Sequence, residues 1–314
     1  MKLIIQIPCF NEAESLPFTL SELPKQIAGI DTIETLVIDD GSSDQTMAVA
    51  RQHGVHHIVQ LTKNQGLAKA FMVGLDACLR LEADIIVNTD ADNQYNAGFI
   101  EKLVEPILKK EADVVIGDRN TAGIEHFSWS KKRLQGLGSW VVRQISGTAV
   151  TDATSGFRAF SRDAALQMNV LSKFTYTLET IIQAGKKNLA IVDIPVQTNE
   201  KLRESRLFSS NWRYIKQSMA TMTRIYTLYE PLKAFSYIGG FLFFCGVLVG
   251  LRFLYFFITE GGGGHIQSLI LTAILLMLGF QIFVMGLIAD IIGFNRQLVE
   301  NILYRVRKME LDKS

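Results

Sequence analysis

Asp90 and Asp92, spaced i, i+2, with the side-chain amide of Gln94 two residues further on, are the residues of this chain best suited to do chemistry. They follow Asp84-Ile85-Ile86-Val87, a short apolar, β-branched run that reads as a buried parallel strand. Ligands of open α/β sheets sit just outside the carboxyl ends of the strands. Two carboxylates there suit a hard divalent cation, which keeps several waters and bridges substrate phosphates. An Asp-x-Asp also arises as a plain solvated turn, so its surroundings decide between the two readings.

Those surroundings repeat one pattern. Leu3–Ile7 reads as a first strand, ending in Pro8-Cys9-Phe10-Asn11-Glu12 and followed by a helix over Ala13–Ile27. Glu34–Ile38 reads as a second, ending in Asp39-Asp40-Gly41-Ser42-Ser43-Asp44, where Ser43 or Asp44 would cap a helix through His53. Val55–Leu61 is a third strand, and Asn64-Gln65-Gly66-Leu67 opens a helix reaching Leu81. The strand before Asp90 is the fourth, Ala112–Ile116 the fifth, and Leu189–Val196 a later one. Strands alternating with helices predict an α/β fold with a mostly parallel sheet covered on both faces. Asn, Asp and Gly populate any strand-to-helix turn. Repeated along one edge of one sheet, they argue for a single ligand crevice.

Apolar residues make up 48% of the 314, high for a soluble enzyme, and the excess lies after Phe235. Phe235–Ile258, charged only at Arg252, and the uncharged Ile266–Ala289 each exceed the roughly 20 residues that cross a bilayer core. The linker between them has no Lys or Arg, whereas Lys216, Arg224 and Lys233 precede the pair and Arg296, Arg305, Arg307 and Lys308 follow it. The positive-inside rule then puts both termini in the cytosol. The alternative is a buried helical hairpin in a large soluble core. Met1–Ile7 is too short and too strand-like for a signal peptide, so everything before the first span is expected on the cytosolic side of an inner or plasma membrane.

Arg252 and Asp290 belong to opposite faces of such a hairpin and are not expected to pair. Gly246 and Gly250 have the spacing that permits close helix packing, and with it a homo-oligomer. Trp212, Ile215, Met219, Met222, Tyr226 and Tyr229 recur at helical spacing, as in an amphipathic interfacial helix. Asn295–Met309 reads as a cytosolic helix with Leu298, Ile302 and Val306 on one side. A net charge of +1 gives no field to draw the chain to nucleic acid. Cys9, Cys78 and Cys245 show neither metal nor disulfide spacing, consistent with a reducing compartment. The expected division is a catalytic domain over 1–208, an interfacial helix over 209–233, a membrane hairpin over 234–294 and a cytosolic helix over 295–314.

Pro8-Cys9-Phe10-Asn11-Glu12, Ile38 through Asp44, Asn64-Gln65-Gly66, Asp90-Ala91-Asp92 and Ser155-Gly156-Phe157-Arg158 together resemble the motif series of family 2 glycosyltransferases. Within that family the likeness is to polyprenyl-phosphate glycosyltransferases, such as dolichyl-phosphate mannose synthase and its bacterial undecaprenyl-phosphate relatives. It covers residues 1–230 by motif and the membrane region by layout. The resemblance implies a GT-A fold, with Pro8, Phe10, Asn11, Glu12, Asp39, Asp40 and Asn64 lining a base and ribose pocket. Ser42, Gly66 and Ala91 would also lie against the nucleotide-sugar, and Asp90, Asp92 and Gln94 would hold Mg²⁺ or Mn²⁺ against the donor pyrophosphate. A metal there neutralises charge growing on the departing nucleoside diphosphate.

By the same resemblance Asp152 and Ser155 lie near the donor sugar, and Glu179 matches an acid usually placed near it. The structural alternative for Glu179 is a carboxylate favoured at a helix N-terminus. Phe157 would pack in the core and Arg158 serve as a structural ion-pair partner. Arg119, together with Arg133 in the basic run Trp129–Arg133, would bind the acceptor phosphate, although a run of three charges also reads as a solvated helix face. Arg203 and Arg206, in Lys201–Ser210, would reach pyrophosphate or lipid headgroup, or act as a juxtamembrane anchor. Asp118 departs from the family pattern, which usually has a small residue before the Arg, and Glu204 stands where many relatives carry Gly.

The implied reaction moves one hexose from a UDP- or GDP-sugar to polyprenyl (undecaprenyl) phosphate, with inversion, at the bilayer. A processive polysaccharide synthase of the same fold is the enzymatic rival, usually marked by Gln-x-x-Arg-Trp and more spans. A non-catalytic membrane scaffold is the other, and the intact Asp90, Asp92 and Gln94 count against it.

Overall fold

The computed structural model describes residues 1–119, 139–170, 176–199, 219–220, 223–224, 226–261 and 265–311. The chain divides into an α/β unit, Met1–Lys216 with Asn301–Ser314, and a helical unit, Gln217–Glu300. Arg133 with the Trp129–Arg133 cluster, Arg203 and Arg206 with their basic loop, and Trp212, Ile215 and Met222 of the expected interfacial helix lie outside the described residues.

In the α/β unit, β1 (Lys2–Cys9) is buried from Leu3 onward because it runs through the middle of a sheet covered on both faces. It pairs in parallel with β2 (Thr32–Asp39) on one side and β4 (Ile85–Asn88) on the other. With β3 (His57–Gln60), β5 (Val114–Asp118), β6 (Arg158–Ser161) and β7 (Ile191–Pro195), the sheet order is β3-β2-β1-β4-β6-β5-β7. Helix α1 (Leu16–Glu22) follows β1, α2 (Thr46–Gln52) follows β2 and α3 (Leu67–Arg80) follows β3. Then come α4 (Ile100–Leu108), a helix over residues 139–146 (α5), α6 (Arg162–Gln167) and α7 (Thr177–Lys186). Phe71, Leu75, Cys78 and Leu79 form the buried stripe of α3, a 3.6-residue periodicity that turns this face to the sheet.

The expected strands are present, and one more was missed. β6 runs antiparallel between β4 and β5, with Val87 opposite Ala159 and Val115 opposite the same residue. Its four residues include an arginine, so nothing in their pattern announced a strand. Helix α1 is shorter than expected because Leu23 takes an extended conformation ahead of Pro24, which disfavours helix in the residue before it. Neither Ser43 nor Asp44 is the cap of α2; Gln45 holds that place without a side-chain bond. The Asp44 carboxylate instead accepts from the backbone N–H groups of Thr46 and Ala13.

Two helices, Pro231–Glu260 and Ile266–Leu311, are long and apolar enough to cross a bilayer. The residues expected as a separate helix after 295 continue the second one unbroken. Gly293 is the nearest helix breaker, and one Gly costs only about 1 kcal/mol. Within the hairpin, a Cβ on Gly239 would stand 2.7 Å from the Gly279 carbonyl oxygen, so the helix backbones meet there. Gly246 and Gly250 face Leu275, Leu276 and Thr272 of the chain's own second helix, which uses their spacing inside the hairpin. Arg252 donates to Ser268 Oγ at 3.4 Å, not to Asp290. In the α/β unit, the C-terminal turns dock on α6, with the Tyr304 hydroxyl on Asp163 and Arg307 on the Met168 carbonyl.

Candidate active site

The loops after β1 and β2 are laced together by backbone donors. Asn11 takes a left-handed conformation (φ 54°), which Asn tolerates better than most residues. Its Oδ1 accepts from Ser43 N at 2.8 Å, and its own N–H donates to Ser42 Oγ at 2.9 Å. Glu12 N donates to Thr46 Oγ1 at 2.8 Å, and Ser15 Oγ donates to the Glu12 carboxylate at 2.6 Å. Asp40 is buried, with its two oxygens accepting from Gln65 N at 2.7 Å and Gly66 N at 2.8 Å. It thereby fixes the turn that carries Asn64 into α3. Asp39 is also buried; Oδ1 accepts from Ser42 N at 3.1 Å, whereas Oδ2 has no partner among the described residues. Pro8 is buried beneath, and the Phe10 ring is 44% exposed at the rim.

A second group gathers at the end of β4. Asp90 keeps some access to solvent but sits deep among protein atoms. Burial and, next, the charge of Asp92 push its carboxyl well above the ordinary carboxylate range, against the pull of Arg119. Gln94 turns back on Asp92, its backbone N–H donating to Oδ1 at 3.2 Å and its amide Nε2 to Oδ2 at 2.7 Å. Ala91 is buried, its carbonyl accepting from Thr19 Oγ1 at 3.0 Å.

Arg119, just past β5, forms a fork on Asp152: Nε donates to Oδ2 at 2.7 Å and Nη2 to Oδ1 at 3.0 Å. Nη2 also donates to Thr154 Oγ1, so only Nη1 is left without a partner among the described residues. Burial favours the neutral form of Asp152, but the hydrogen bonds and charge of Arg119, with Thr154, outweigh it and hold the carboxyl below its usual range.

Arg158 is fully buried, and its hydrogen bonds go to the carbonyls of Ala153, Ser155 and Thr177 and to Thr180 Oγ1. It is a staple between the loop before β6 and the start of α7 rather than one half of a direct ion pair. Its burial lowers the guanidinium to about 10. Phe157 packs fully in the core, stacked on Tyr95. Glu179 is buried in the first turn of α7.

The structure thus brings Asp90, Asp92, Gln94, Arg119 and Asp152 into one centre at the ends of β4 and β5. Asp39, Asp40, Ser42, Asn64 and Gly66 sit along the β1–β2–β3 edge. Sequence reasoning gave no role to Asn88, Tyr95, Thr154 and Tyr176. Each lies within or beside a motif, but nothing in residue type alone marks Asn88, Tyr95 and Tyr176 as hydrogen-bonding partners of the Gly156 backbone, or Thr154 as a partner of Arg119 and Asp152.

Residues 4–167 match the model of the glycosyl transferase family 2 domain, and residues 230–294 match that of the GtrB C-terminal hairpin. The undecaprenyl-phosphate mannosyltransferase of Micrococcus luteus is 29% identical over 66% of this chain and 88% of that protein. The undecaprenyl-phosphate 4-deoxy-4-formamido-L-arabinose transferase of Sodalis glossinidius is 28% identical, and the match spans 93% of this chain and 88% of its own length. Among solved structures, glucosyl-3-phosphoglycerate synthase of Mycobacterium tuberculosis superposes with a TM-score of 0.55 at 20% identity, over 70% of this chain and 79% of that one. Another structure of that enzyme holds Mn²⁺ and UDP, at a TM-score of 0.53 and 19% identity over the same shares of the two chains. The sheet order, the loop chemistry at its carboxyl edge and the matched domain agree on one conclusion: this chain belongs to glycosyl transferase family 2 and has its GT-A fold.

Proposed function

We propose that the protein transfers one sugar from a nucleotide diphosphate sugar to a polyprenyl phosphate, with inversion at the anomeric carbon, at the cytosolic face of a membrane. The observation that carries this reading is the Asp90–Asp92 pair at an open strand end, beside Arg119, in a chain that also has a membrane-length hairpin. Relatives named for transfer to undecaprenyl phosphate support the acceptor class. The flanking Lys and Arg support a cytosolic catalytic unit.

Two hard carboxylate donors, one of them costly to ionise alone, suit Mg²⁺ or Mn²⁺. Asp90 and Asp92 would hold the ion, with Gln94 aligning Asp92 through the hydrogen bond its side-chain amide already donates. When bound, such an ion neutralises charge on the departing diphosphate. Asp39 Oδ2, buried without a partner among the described residues, offers an acceptor for a ribose hydroxyl or base N–H of the donor. Asp40 keeps the neighbouring turn in shape.

The acceptor phosphate is already anionic near neutral pH, so it needs orientation more than a catalytic base. One phosphate oxygen bonds to the anomeric carbon from the side opposite the nucleotide. The bond to the nucleoside diphosphate breaks, and its electron pair leaves with the diphosphate. Arg119, locked by Asp152 and Thr154, keeps Nη1 for a phosphate oxygen. Arg133, Arg203 and Arg206, expected to add further positive charge, lie outside the described residues. Glu179 orients the sugar and takes no proton.

The test incubates the detergent-purified chain with Mn²⁺, undecaprenyl phosphate and a panel of radiolabelled UDP- and GDP-sugars. Label should pass into the organic phase and fall on the order of 10³-fold in Asp92→Ala. Full transfer by that variant would remove the pair from the chemistry. No transfer from any donor despite nucleotide binding would turn the reading to another acceptor or to the scaffold.

A further inference from the structure

Gly156 lies in the turn leading into β6, and its peptide groups are gripped from both sides by buried side chains. Its N–H donates to Tyr95 Oη at 2.9 Å. Its carbonyl accepts from Asn88 Nδ2 at 2.8 Å and from the Tyr176 hydroxyl at 3.3 Å. Tyr95 and Tyr176 are 5% and 0% exposed. A Cβ on Gly156 would stand 2.8 Å from Tyr176 Oη and 3.1 and 3.2 Å from the two carboxylate oxygens of Asp90. Both Asp90 carboxylate oxygens therefore lie beside the glycine's α-carbon, in space that a larger residue's Cβ would crowd.

Each gripping group is itself fixed. The Tyr95 ring stacks on Phe157 with centroids 5.0 Å apart, and the Tyr176 ring on Phe71 of α3 at 3.9 Å. Asn88, the last residue of β4, has its Oδ1 held by Gln6 Nε2 of β1 at 2.9 Å. None of these side chains has a part in the reaction described above, yet Tyr95, Asn88 and Tyr176 converge on the two peptide groups of Gly156, the residue that lies against Asp90. A buried peptide whose N–H and C=O are both satisfied cannot withdraw without orphaning them.

We propose that Tyr95 and Tyr176 are positioning residues that act through Gly156 to fix the place of the Asp90 carboxylate for the cation and the donor pyrophosphate. The inference rests on the reading of Asp90 and Asp92 as cation ligands. Tyr95 matters more, since it alone holds the Gly156 N–H, whereas Asn88 backs up Tyr176 at the carbonyl. Groups one step removed from a metal ligand commonly alter metal affinity by 10- to 100-fold.

The experiment titrates the full chain in detergent with Mn²⁺ alone, following free Mn²⁺ by electron paramagnetic resonance, for the parent, Tyr95→Phe and Tyr176→Phe. The expected result is a rise of about tenfold in the Mn²⁺ Kd of Tyr95→Phe and a smaller rise in Tyr176→Phe. Cooperative melting should be retained in both, and donor KM should rise in the same order. Phe variants that melt lower but bind Mn²⁺ like the parent would reduce both phenols to structural roles and overturn the proposal. A parent that binds no Mn²⁺ would overturn the cation reading of Asp90 and Asp92 itself, which separates the two failures. Because Asn88 still serves the carbonyl in Tyr176→Phe, this variant keeps the test open should Tyr95→Phe not fold.

Discussion

The two halves of the carboxyl edge hold their carboxylates by different means. Along β1, β2 and β3, Asp39, Asp40 and Asp44 accept mostly from backbone N–H groups, so the acids shape loops. At the end of β4 the acids answer to side chains as well as to backbone: Asp92 to the Gln94 amide, Asp152 to the Arg119 guanidinium and the Thr154 hydroxyl. Asp90 rests beside the fixed charges of Arg119 and Arg158. A backbone-held acid is kept in place by the fold itself, because its N–H donors carry no charge that a ligand or pH can change. A side-chain-held acid depends on its neighbours' charges, which a ligand or a change of pH can alter. On the proposed reading, the first region would be a permanent nucleotide cradle and the second a centre whose charge changes as substrate and metal arrive.

The strongest way to break this contrast is at Asp152. Asp152→Ala leaves the largely buried Arg119 guanidinium hydrogen-bonded only to Thr154 among the described residues, and breaking one partner of a buried pair costs about 3–5 kcal/mol. Thermal unfolding should register that loss, and transfer should fall with it. An unchanged melting temperature would mean that water, not Asp152, compensates Arg119.

A second effect sets two acids of one centre against each other in pH. Asp152 is held below its usual range, so its contribution to stability is present above the ordinary carboxylate value of about 3.9 and is lost as pH falls further. Asp90 is raised, so its contribution is present below about 3.9 and is lost as pH rises through its folded-state value. Metal-free protein should therefore lose stability on its Asp90 account as pH climbs toward neutrality, and Mn²⁺ should flatten that decline. Asp90→Asn should remove the decline without metal. A metal-free melting profile identical in parent and Asp90→Asn from pH 4 to 7 would contradict the raised carboxyl.

The mostly parallel sheet was legible because the strands of its core are continuous β-branched runs and their turns carry acids at regular intervals. β6 was not, since four residues with a buried arginine have no strand periodicity, and only tertiary pairing makes them one. The same insertion brings Gly156 against Asp90, so the missed strand and the unassigned tyrosines are one omission. Arg158 was read as an ion-pair partner because charge usually seeks opposite charge. The structure satisfies it with carbonyl groups, whose directions no sequence pattern specifies. Likewise the Gly246-x-x-x-Gly250 spacing correctly announced close helix packing, but spacing cannot tell an internal partner from an external one.

Asp40→Asn is the smallest and most discriminating change. Asparagine keeps the volume and one acceptor oxygen but places an NH₂ where the second oxygen takes a backbone donor. The N–H of Gln65 or Gly66 is then left facing another donor, at a cost of about 1–3 kcal/mol if it stays buried. Because the affected turn also carries Asn64, which is expected to line the base and ribose pocket, donor KM should rise severalfold while Mn²⁺ affinity stays at the parent value. The converse pattern is expected of Tyr95→Phe, where metal affinity falls first. If Asp40→Asn weakened Mn²⁺ binding as much as donor binding, the two halves of the edge would be one coupled network, and the distinction between a backbone-held cradle and a side-chain-held centre would fail.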